Sequence, residues 1–255
     1  MSTGDLTSKE YWDKTHRDQI FTVEQLTQFP QFPWMPIVLE KLEPYRGQRL
    51  LELGCSPGQV SAMICGQIPM QAEGVDFSDT GWLYLKNLET VGVTGATLHR
   101  ADFRNFRPGE LYDVVSSFGL VEHFEDPQEV LDHHDRLLRP GGLCIVELPR
   151  MRGLLWMHKW LFDRPNLRKH NVTMMKVDVF RRFAERRGHE IQFLDLVGGP
   201  QVWGADQGGP EWLRHWRTRA SMNVKRAVTQ YLKPRVRPGH PWFAPWLLYI
   251  GRKPA

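Results

Sequence analysis

The residues whose types and spacing could do chemistry begin with a glycine-containing turn that follows an apolar run. The run spans Arg49 to Leu53, and Gly54 and Gly58 flank the turn after it. Glycine has no Cβ, so these positions let the backbone bend sharply and approach a ligand closely. A helix beginning near Gly58 would point its free N–H groups at the same ligand. Alone, the two glycines are consistent with either a nucleotide-type cradle or a mere tight turn.

Two carboxylates end the next two apolar runs of the chain. Asp76 is followed by Phe77, and Asp102 is followed by Phe103. In dinucleotide-binding folds, an acidic residue about 20 residues past the glycines accepts hydrogen bonds from ribose hydroxyls. Ligands of open α/β sheets bind outside the carboxyl ends of the strands. We therefore expect these side chains to share one crevice with the glycine turn.

Together these stretches resemble the class I S-adenosylmethionine-dependent methyltransferases of the small-molecule type, over roughly residues 11 to 148. That family's first motif is an acidic residue followed by Gly-x-Gly-x-Gly. Here it reads Glu52-Leu53-Gly54-Cys55-Ser56-Pro57-Gly58, with serine at the middle glycine. Two later stretches, 118–123 and 138–142, also look like methyltransferase landmarks and disfavour a dinucleotide oxidoreductase. The resemblance implies S-adenosylmethionine as the cofactor and S-adenosylhomocysteine as its product.

The resemblance also implies roles for individual residues. Asp76 would hold the ribose hydroxyls, Phe77 would pack on the adenine, and Asp102 would accept a hydrogen bond from the adenine amino group. Tyr11 and Trp12 would help to cover the cofactor, as in many relatives, or would anchor an arm on the core. The cofactor-binding residues expected on this basis are Tyr11, Trp12, Glu52, Gly54, Cys55, Ser56, Pro57, Gly58, Asp76, Phe77, Asp102, Phe103 and Phe118.

Methyl transfer from a sulfonium is an in-line displacement, for which a protein aligns the reactants, excludes water and in some cases removes a proton. His123 is the best candidate base, because it follows the fourth expected strand at the cofactor's edge of the sheet. Histidine titrates near neutrality and can take a proton from a hydroxyl. His170 is a second candidate catalytic residue. Both histidines are also compatible with a purely structural role.

The same loop bears on metal binding. Some quinone-pathway O-methyltransferases carry Glu-x-x-Glu-His here and bind a divalent metal with it. This chain has Gly119 where the first glutamate would be. Glu122 and His123 alone leave such a site short of a ligand, so we expect no metal.

Two motifs that are absent from the sequence exclude classes of methyl acceptor. Nucleobase-modifying relatives carry Asn/Asp-Pro-Pro-Tyr/Phe after the fourth strand, whereas this chain has Ser117-Phe118-Gly119-Leu120. The paired-glutamate loop of protein arginine methyltransferases is also missing. The ten tryptophans favour a hydrophobic or aromatic acceptor. Aromatic residues of two later insertions could wall its pocket or form ordinary core: Trp156, Trp160, Phe162, Trp203, Trp212 and Trp216.

These observations favour O-methylation of a small molecule. N-, S- or C-methylation of a small molecule, lipid or glycolipid is the near alternative. A non-catalytic cofactor-binding subunit and an RNA-binding methyltransferase are alternatives of another class. We expect no DNA partner, and the sequence argues against RNA. It leaves the oligomeric state open, with a homodimer as one option.

The composition indicates where the protein is located and the redox state of its cysteines. The chain has 255 residues, of which 41% are hydrophobic and 24% charged, as in ordinary soluble proteins. It shows no signal pattern and no apolar stretch near the roughly 20 residues of a membrane span, so we expect a cytoplasmic protein. Three dispersed cysteines indicate buried thiols. The net charge of +4 gathers in basic clusters between 181 and 237, which suit a solvated face or weak contact with an anionic membrane surface.

The elements that must position these residues alternate between strand and helix. Such alternation predicts a doubly wound α/β fold, with a mostly parallel sheet and helices on both faces. We expect strands near 49–54, 71–76, 96–101, 111–118 and 142–148, and helices near 58–66, 79–90 and 127–138. Gly141-Gly142 should end the last of these helices and turn the chain into the fifth strand.

The resemblance extends this to a seven-stranded Rossmann-like sheet with strand order 3-2-1-4-5-7-6. The sixth strand should span 191–197, and the seventh, within 242–253, should run antiparallel beside it. Insertions after strands 5 and 6 should form a lid over the acceptor. The expected divisions are an N-terminal helical arm at 1–48, the cofactor-binding core at 49–149, a lid insertion at 150–176, and a C-terminal part at 177–255 with a basic, Trp-rich insertion at 198–240.

Overall fold

Seven strands form a single sheet in the computed structural model, which describes residues 5–28, 32–203 and 211–255. The order is β3-β2-β1-β4-β5-β7-β6, as predicted. β7 runs antiparallel to both β5 and β6, whereas the pairs from β3 to β5 are parallel. The strands are β1 Arg49–Leu53, β2 Gln71–Asp76, β3 Thr97–Arg100, β4 Tyr112–Phe118, β5 Leu138–Pro149, β6 Glu190–Val197 and β7 Trp246–Arg252.

Helices cover both faces of this sheet. They are α1 Lys9–His16, α2 Val23–Thr27, α3 Met35–Leu42, α4 Gln59–Cys65, α5 Trp82–Thr90, α6 Pro127–Leu137, α7 Leu154–Phe162, α8 Arg164–Leu167, α9 Val177–Arg187 and α10 Glu211–Ala227. Within the described ranges, none of these helices combines the length and the apolar character that crossing a bilayer requires.

The apolar runs form strands because both of their faces are buried. Leu51 and Leu53 pack into one apolar layer, with α6 and α9, while Leu50 packs into the layer on the other face, with α3 and α4. Continuous apolar strands of this kind belong to parallel sheets covered on both sides. The three cysteines are buried and free of disulfides, as expected.

The expected start of the fifth strand was wrong. α6 ends at Leu137 and β5 already begins at Leu138, which pairs with Tyr112, so Gly141 and Gly142 lie inside the strand. The register between β4 and β5 shifts between Tyr112 and Val114. Gly141 has a φ of +75°, which favours glycine. The glycines therefore accommodate an irregular strand.

Two segments outside the sheet dock against its carboxyl edge. The N-terminal α1 is held by Asp13, whose Oδ1 accepts a hydrogen bond of 2.6 Å from the backbone N–H of Asp79. The insertion after β5 is held by a 2.6 Å bond from the Asn171 backbone N–H to the Glu122 carbonyl. Both segments therefore sit next to the loops that follow β1, β2 and β4.

Part of the basic character noted in the sequence is neutralised locally. Arg186 and Arg187 at the end of α9 both pair with Asp132 of α6, at 2.8 and 2.6 Å. These cations pin two helices together. They are therefore less available to an external anion than the sequence alone suggests.

Candidate active site

The glycine turn after β1 has the shape that its sequence predicts. Gly54 and Gly58 have φ values of +67° and +87°, and α4 starts directly after Gly58. A Cβ at Gly58 would lie 2.6 Å from the Cα of Tyr84, and one at Gly54 would lie 2.8 Å from a methyl of Leu120. At Gly58 a Cβ would collide with the backbone of Tyr84, and at Gly54 the positive φ favours glycine. The turn therefore packs closely on its neighbours, and the start of α4 after it supplies backbone N–H groups, where anionic and polar groups bind.

Asp76 ends β2 beside this turn and is almost fully buried. Its Oδ2 accepts a 2.9 Å hydrogen bond from the backbone N–H of Ser56, and its Oδ1 accepts two from Ser78, one from the backbone N–H at 2.8 Å and one from the hydroxyl at 2.5 Å. These bonds tie the loops after β1 and β2 to each other. A carboxylate has about four acceptor sites, so Asp76 can still receive a hydroxyl donor from a ligand.

Glu52 lies within β1, one position before its last residue, and is also buried. The hydroxyl of Ser61 donates a hydrogen bond to it. Burial raises the pKa of Glu52 to about 8, because the charged form loses its hydration. At pH 7 this carboxyl is therefore mainly protonated until a cationic group comes close to it.

Asp102 follows β3 and has a partner that the sequence did not indicate. Arg104 donates to both of its carboxylate oxygens and also forms an ion pair of 2.7 Å with Asp5. Burial raises the pKa of Asp102, but the hydrogen bonds from Arg104 outweigh burial and hold the pKa below its ordinary value. Phe103 packs edge-on against Phe124 at this end of the crevice.

The expected cofactor residues gather around one crevice with two lobes. Trp12, Gly54, Asp76, Phe77 and Leu120 line both lobes. The first lobe is completed by residues after β3, including Asp102 and Phe103, and the second by Glu52, Phe118 and the turn from Cys55 to Gly58. Tyr11 is the exception among the expected set: it lines a neighbouring cavity instead.

This neighbouring cavity, called the acceptor cavity below, adjoins the crevice. Trp12, Phe118 and Gly119 line it as well as the second lobe, and His123 lines it as well as the first. Its aromatic walls come from distant parts of the chain: Tyr11, Phe32, Trp34, Trp203 and Trp246. Trp34 and Phe118 stack with ring centroids 5.4 Å apart. The two spaces therefore meet at one aromatic wall.

The expected aromatic wall of the insertions is only partly correct. Trp203 lines the acceptor cavity, but Trp156 and Trp160 lie on the outer side of α7 and are 39% and 43% exposed. Their rings stack with centroids 6.3 Å apart, as their helical spacing predicted. Phe162 packs against His158, and Trp216 is 63% exposed. The side chain of Trp212 lies outside the described residues.

Three polar side chains meet on the wall of the acceptor cavity. They are Glu122 and His123 from the loop after β4 and His170 from the insertion after β5. One ligand atom of each lies within 4.8 Å of the other two. The sequence singled out both histidines and considered Glu122 only with His123, as part of an incomplete metal site. It gave no signal that His170 would lie beside them.

The charge state of this trio follows from burial. Burial raises the pKa of Glu122 to about 8 and lowers those of His123 and His170 to about 3 and about 4. Neighbouring charge adds to the shift at His123, because His170 lies beside it. At neutral pH both rings are uncharged and present lone pairs.

Comparison with known proteins identifies the fold family. The family model described as a methyltransferase domain matches residues 33–192. The chain belongs to this family. Its core is accordingly a class I S-adenosylmethionine-dependent methyltransferase domain, with the strand order that the resemblance implied.

Named relatives match parts of the chain. The ubiquinone biosynthesis O-methyltransferase of Cereibacter sphaeroides is 30% identical over 134 residues, which cover 46% of this chain and 51% of that protein. The chain thus spans about half the length of the curated relatives it matches. These relatives support the methyltransferase assignment of the domain.

Solved structures share the fold of this methyltransferase domain. Phosphoethanolamine N-methyltransferase 2 of Haemonchus contortus, in complex with S-adenosylmethionine, has a TM-score of 0.62 at 15% identity, over 98% of this chain and 60% of that one. Magnesium protoporphyrin IX methyltransferase of Synechocystis, with S-adenosylhomocysteine, has a TM-score of 0.57 at 13% identity, over 96% and 93%. At such low sequence identities, the likeness shows that the fold is shared and nothing more.

The crevice of this methyltransferase domain suits the family's cofactor. Gly54 and Gly58 let the turn pack closely on Leu120 and Tyr84, and the start of α4 supplies backbone N–H groups. Asp76 offers acceptor capacity for hydroxyls, and Glu52 offers a buried carboxyl for a cationic group. The donors and acceptors present therefore match an adenosyl amino acid.

Proposed function

We propose that the protein transfers a methyl group from S-adenosylmethionine to a small molecule, and that the atom methylated is a hydroxyl oxygen. When bound, the cofactor supplies a methyl group on a positively charged sulfur. One observation carries the proposal: the cofactor crevice and the acceptor cavity share the wall of Trp12, Phe118, Gly119 and His123. A group in the cavity can therefore come within reach of the crevice.

Each carboxyl in the crevice has a proposed role. Asp76 holds the ribose hydroxyls, Glu52 receives the cationic end of the cofactor, and Asp102 lies at the adenine end beside Phe103. The turn from Gly54 to Gly58 supplies backbone N–H groups. The family resemblance implies the roles of Asp76 and Asp102, and the positions of the residues along one crevice and the hydrogen-bonding capacity of each side chain support all of these roles.

The walls of the acceptor cavity favour a hydrophobic or aromatic acceptor. Trp34 and Phe118 offer a stacked pair of rings, and Trp203 packs on Trp246 with centroids 4.9 Å apart. Aromatic walls bind flat apolar bodies, and a few polar groups then fix the orientation. The names of the curated relatives, which include ubiquinone biosynthesis O-methyltransferases, support an oxygen as the methylated atom.

His123 and His170 orient the acceptor hydroxyl in this proposal. The Nδ1 of His123 lies 2.8 Å from the Lys169 carbonyl oxygen, and that of His170 lies 2.8 Å from the Asn166 carbonyl oxygen. A carbonyl oxygen only accepts, so each Nδ1 must carry the proton. Each Nε2 is then left with a lone pair that can accept a hydrogen bond from a hydroxyl.

The insertions at 150–176 and 198–240 form the lid in this proposal, over the core at 49–149 and beside the N-terminal arm. The described parts of both insertions contribute to the acceptor cavity, through His170 and Trp203. A lid of this kind excludes water while the methyl group moves.

Substitution in the acceptor cavity tests the function. Trp203→Ala should lower the methylation of a panel of phenols and alcohols at least about tenfold. It should leave the binding of S-adenosylhomocysteine intact, because Trp203 lines the acceptor cavity and neither lobe of the cofactor crevice. Mass spectrometry of the products identifies the methylated atom. Trp216→Ala, at an exposed tryptophan, is the matched control.

Two results would count against the proposal. Equal turnover in the Trp203→Ala and Trp216→Ala variants would remove the acceptor cavity from the reaction. Methyl transfer to nitrogen, sulfur or carbon in place of oxygen would support the alternative acceptor class.

A further inference from the structure

We propose that Glu122, His123 and His170 bind a divalent transition-metal ion at the wall of the acceptor cavity. The binding of the ion is an inference about these three side chains alone. Its use in catalysis rests on the function proposed above: with the ion bound, the acceptor hydroxyl would be oriented by the ion and not directly by the two Nε2 lone pairs.

The three side chains converge from two separate segments. His123 Nε2 lies 3.7 Å from Glu122 Oε1, and the two imidazole rings lie with centroids 4.5 Å apart. Zinc binds histidine nitrogen and carboxylate oxygen at about 2.0–2.2 Å, so its ligand atoms stand about 3.3 Å apart in a tetrahedral site. The three ligand atoms, which lie within 4.8 Å of one another, therefore need to approach by at most about 1.5 Å when the ion binds.

Both rings are already held by hydrogen bonds of the kind that metal-binding histidines make. His123 and His170 each donate Nδ1–H to a backbone carbonyl, which fixes the tautomer and leaves Nε2 able to bind a cation. Metal-binding histidines make this same kind of outer hydrogen bond, to a carbonyl or a carboxylate. Those two carbonyls belong to Lys169 and Asn166, in the segment that carries His170.

That segment is itself fixed to the loop of Glu122. The backbone N–H of Asn171 bonds to the Glu122 carbonyl, and the Asn171 side-chain amide donates to the carbonyls of Phe124 and Glu125 at 3.1 and 3.2 Å. The ligand from the insertion is therefore held beside the two ligands from the core. This preorganisation lowers the entropic cost of binding.

No Lys or Arg of the described residues is paired with Glu122. Glu122 is fully buried, and neither of its carboxylate oxygens has a hydrogen-bond partner among the residues that the structure describes. A buried polar group without a partner is costly, and a buried charge more so. Lys159 also lines the cavity, but its ammonium already pairs with Asp163 at 2.8 Å. A metal cation would satisfy the carboxylate and both Nε2 lone pairs at once.

The ligand types indicate which metal. Two imidazoles and one carboxylate suit zinc and other first-row transition metals, whereas magnesium and calcium prefer oxygen ligands. Three protein ligands leave a position open, and all three residues line the acceptor cavity. A cation there would favour ionisation of an acceptor hydroxyl.

The inference departs from the sequence expectation of no metal. That expectation rested on Gly119, because glycine has no side chain that could join Glu122 and His123 as a third metal ligand. The structure replaces the missing ligand with His170, from a different segment of the chain. The ligand set thus differs from the Glu-x-x-Glu-His pattern of the quinone-pathway enzymes, and only the folded chain shows it.

Metal titration of the full chain, freed of any affinity tag and chelator-treated, tests the site. We expect one Zn²⁺ per chain by calorimetry, and a Co²⁺ visible spectrum of a site with nitrogen ligands. His170→Ala should weaken Zn²⁺ binding at least about 100-fold, since it removes a ligand rather than an outer partner. His215→Ala, at an exposed histidine of α10, should bind as the unaltered chain does.

The outcomes separate this site from the proposed function. S-adenosylhomocysteine binding and circular dichroism in the His170→Ala variant report whether the domain is still folded, and Glu122→Gln provides a second ligand variant. Absence of Zn²⁺ uptake by the unaltered chain, or equal affinity in His170→Ala and His215→Ala, would overturn the site while leaving methyl transfer intact. If the unaltered chain takes up Zn²⁺ but does not bind S-adenosylhomocysteine, the result would instead overturn the proposed methyl transfer.

Discussion

Asp76 illustrates how single residues of this domain serve both the fold and the site. Its carboxylate joins the loops after β1 and β2 through Ser56 and Ser78, and it lines both lobes of the crevice. The sequence could place it, because an apolar run fixes where β2 ends. His170 could not be placed in this way, since its position depends on contacts between an insertion and the loop of Glu122.

Glu52 should couple cofactor binding to proton release. Its pKa is raised to about 8 by burial, so at pH 7 the cofactor-free protein holds the proton. A cationic group beside it favours the ionised form, so binding should release up to about one proton at pH 7. Affinity should therefore rise as the pH increases from 7 through 8. Calorimetry in buffers of different ionisation enthalpy measures the release.

Glu52→Gln provides the control for this linkage, because glutamine cannot release a proton. Its binding enthalpy should be the same in every buffer once ionisation elsewhere is subtracted. An unaltered protein whose binding enthalpy shows no dependence on the buffer would contradict the assignment of Glu52 to the cationic end of the cofactor.

At the scale of elements, the turn between β1 and α4 is the part that the sequence described best. Two glycines, an apolar strand and a helix start are local features, and local features can be read from the chain. The start of β5 was misjudged because its pairing with Tyr112 of β4 is a tertiary contact that overrides the glycine signal.

Alanine at Gly58 should destabilise the domain far more than alanine at Gly92. Both residues have positive φ, +87° and +80°, so both substitutions strain the backbone by about 1 kcal/mol. Only at Gly58 would the new methyl also clash, at 2.6 Å from the Cα of Tyr84, whereas Gly92 has open space. We expect an additional loss of about 2 kcal/mol or more in the free energy of unfolding.

Urea denaturation of the two variants measures this difference. Gly92→Ala serves as the matched control for the backbone strain, since nothing lies within 4 Å of the position of its Cβ. Equal midpoints for the two variants would show that α5 does not approach the turn as closely as described.

The helix α1 should contribute directly to cofactor affinity. Trp12 lines both lobes of the crevice, and its Nε1 donates a 3.0 Å hydrogen bond to Thr7. Trp12→Ala should weaken S-adenosylhomocysteine binding about tenfold, because the ligand loses part of its contact with one buried aromatic ring. Calorimetry measures the affinity of this variant, with Trp216→Ala as the control. Equal affinities in the two variants would mean that α1 only anchors the N-terminal arm on the core.

At the scale of the whole molecule, the alternation of strands and helices predicted a mostly parallel sheet with helices on both faces, and the family resemblance supplied the strand order and the position of β7. The connection rules for parallel sheets leave few alternatives once the strands are located. The lining of the acceptor cavity was beyond such reasoning. Its walls combine Tyr11, Phe32, Trp34, Trp203 and Trp246, which come together only through the packing of the arm and the insertions on the core.

The central claim is that the loops after β1, β2 and β3 form one crevice for an adenosyl amino acid. Calorimetric titration with S-adenosylhomocysteine tests it most directly, on the unaltered chain, on Asp76→Ala, and on Glu89→Ala at an exposed carboxylate of α5. We predict one site per chain, affinity at least about tenfold weaker in Asp76→Ala, and affinity within about twofold of the unaltered chain in Glu89→Ala. No binding by the unaltered chain, or equal binding by all three proteins, would contradict the claim.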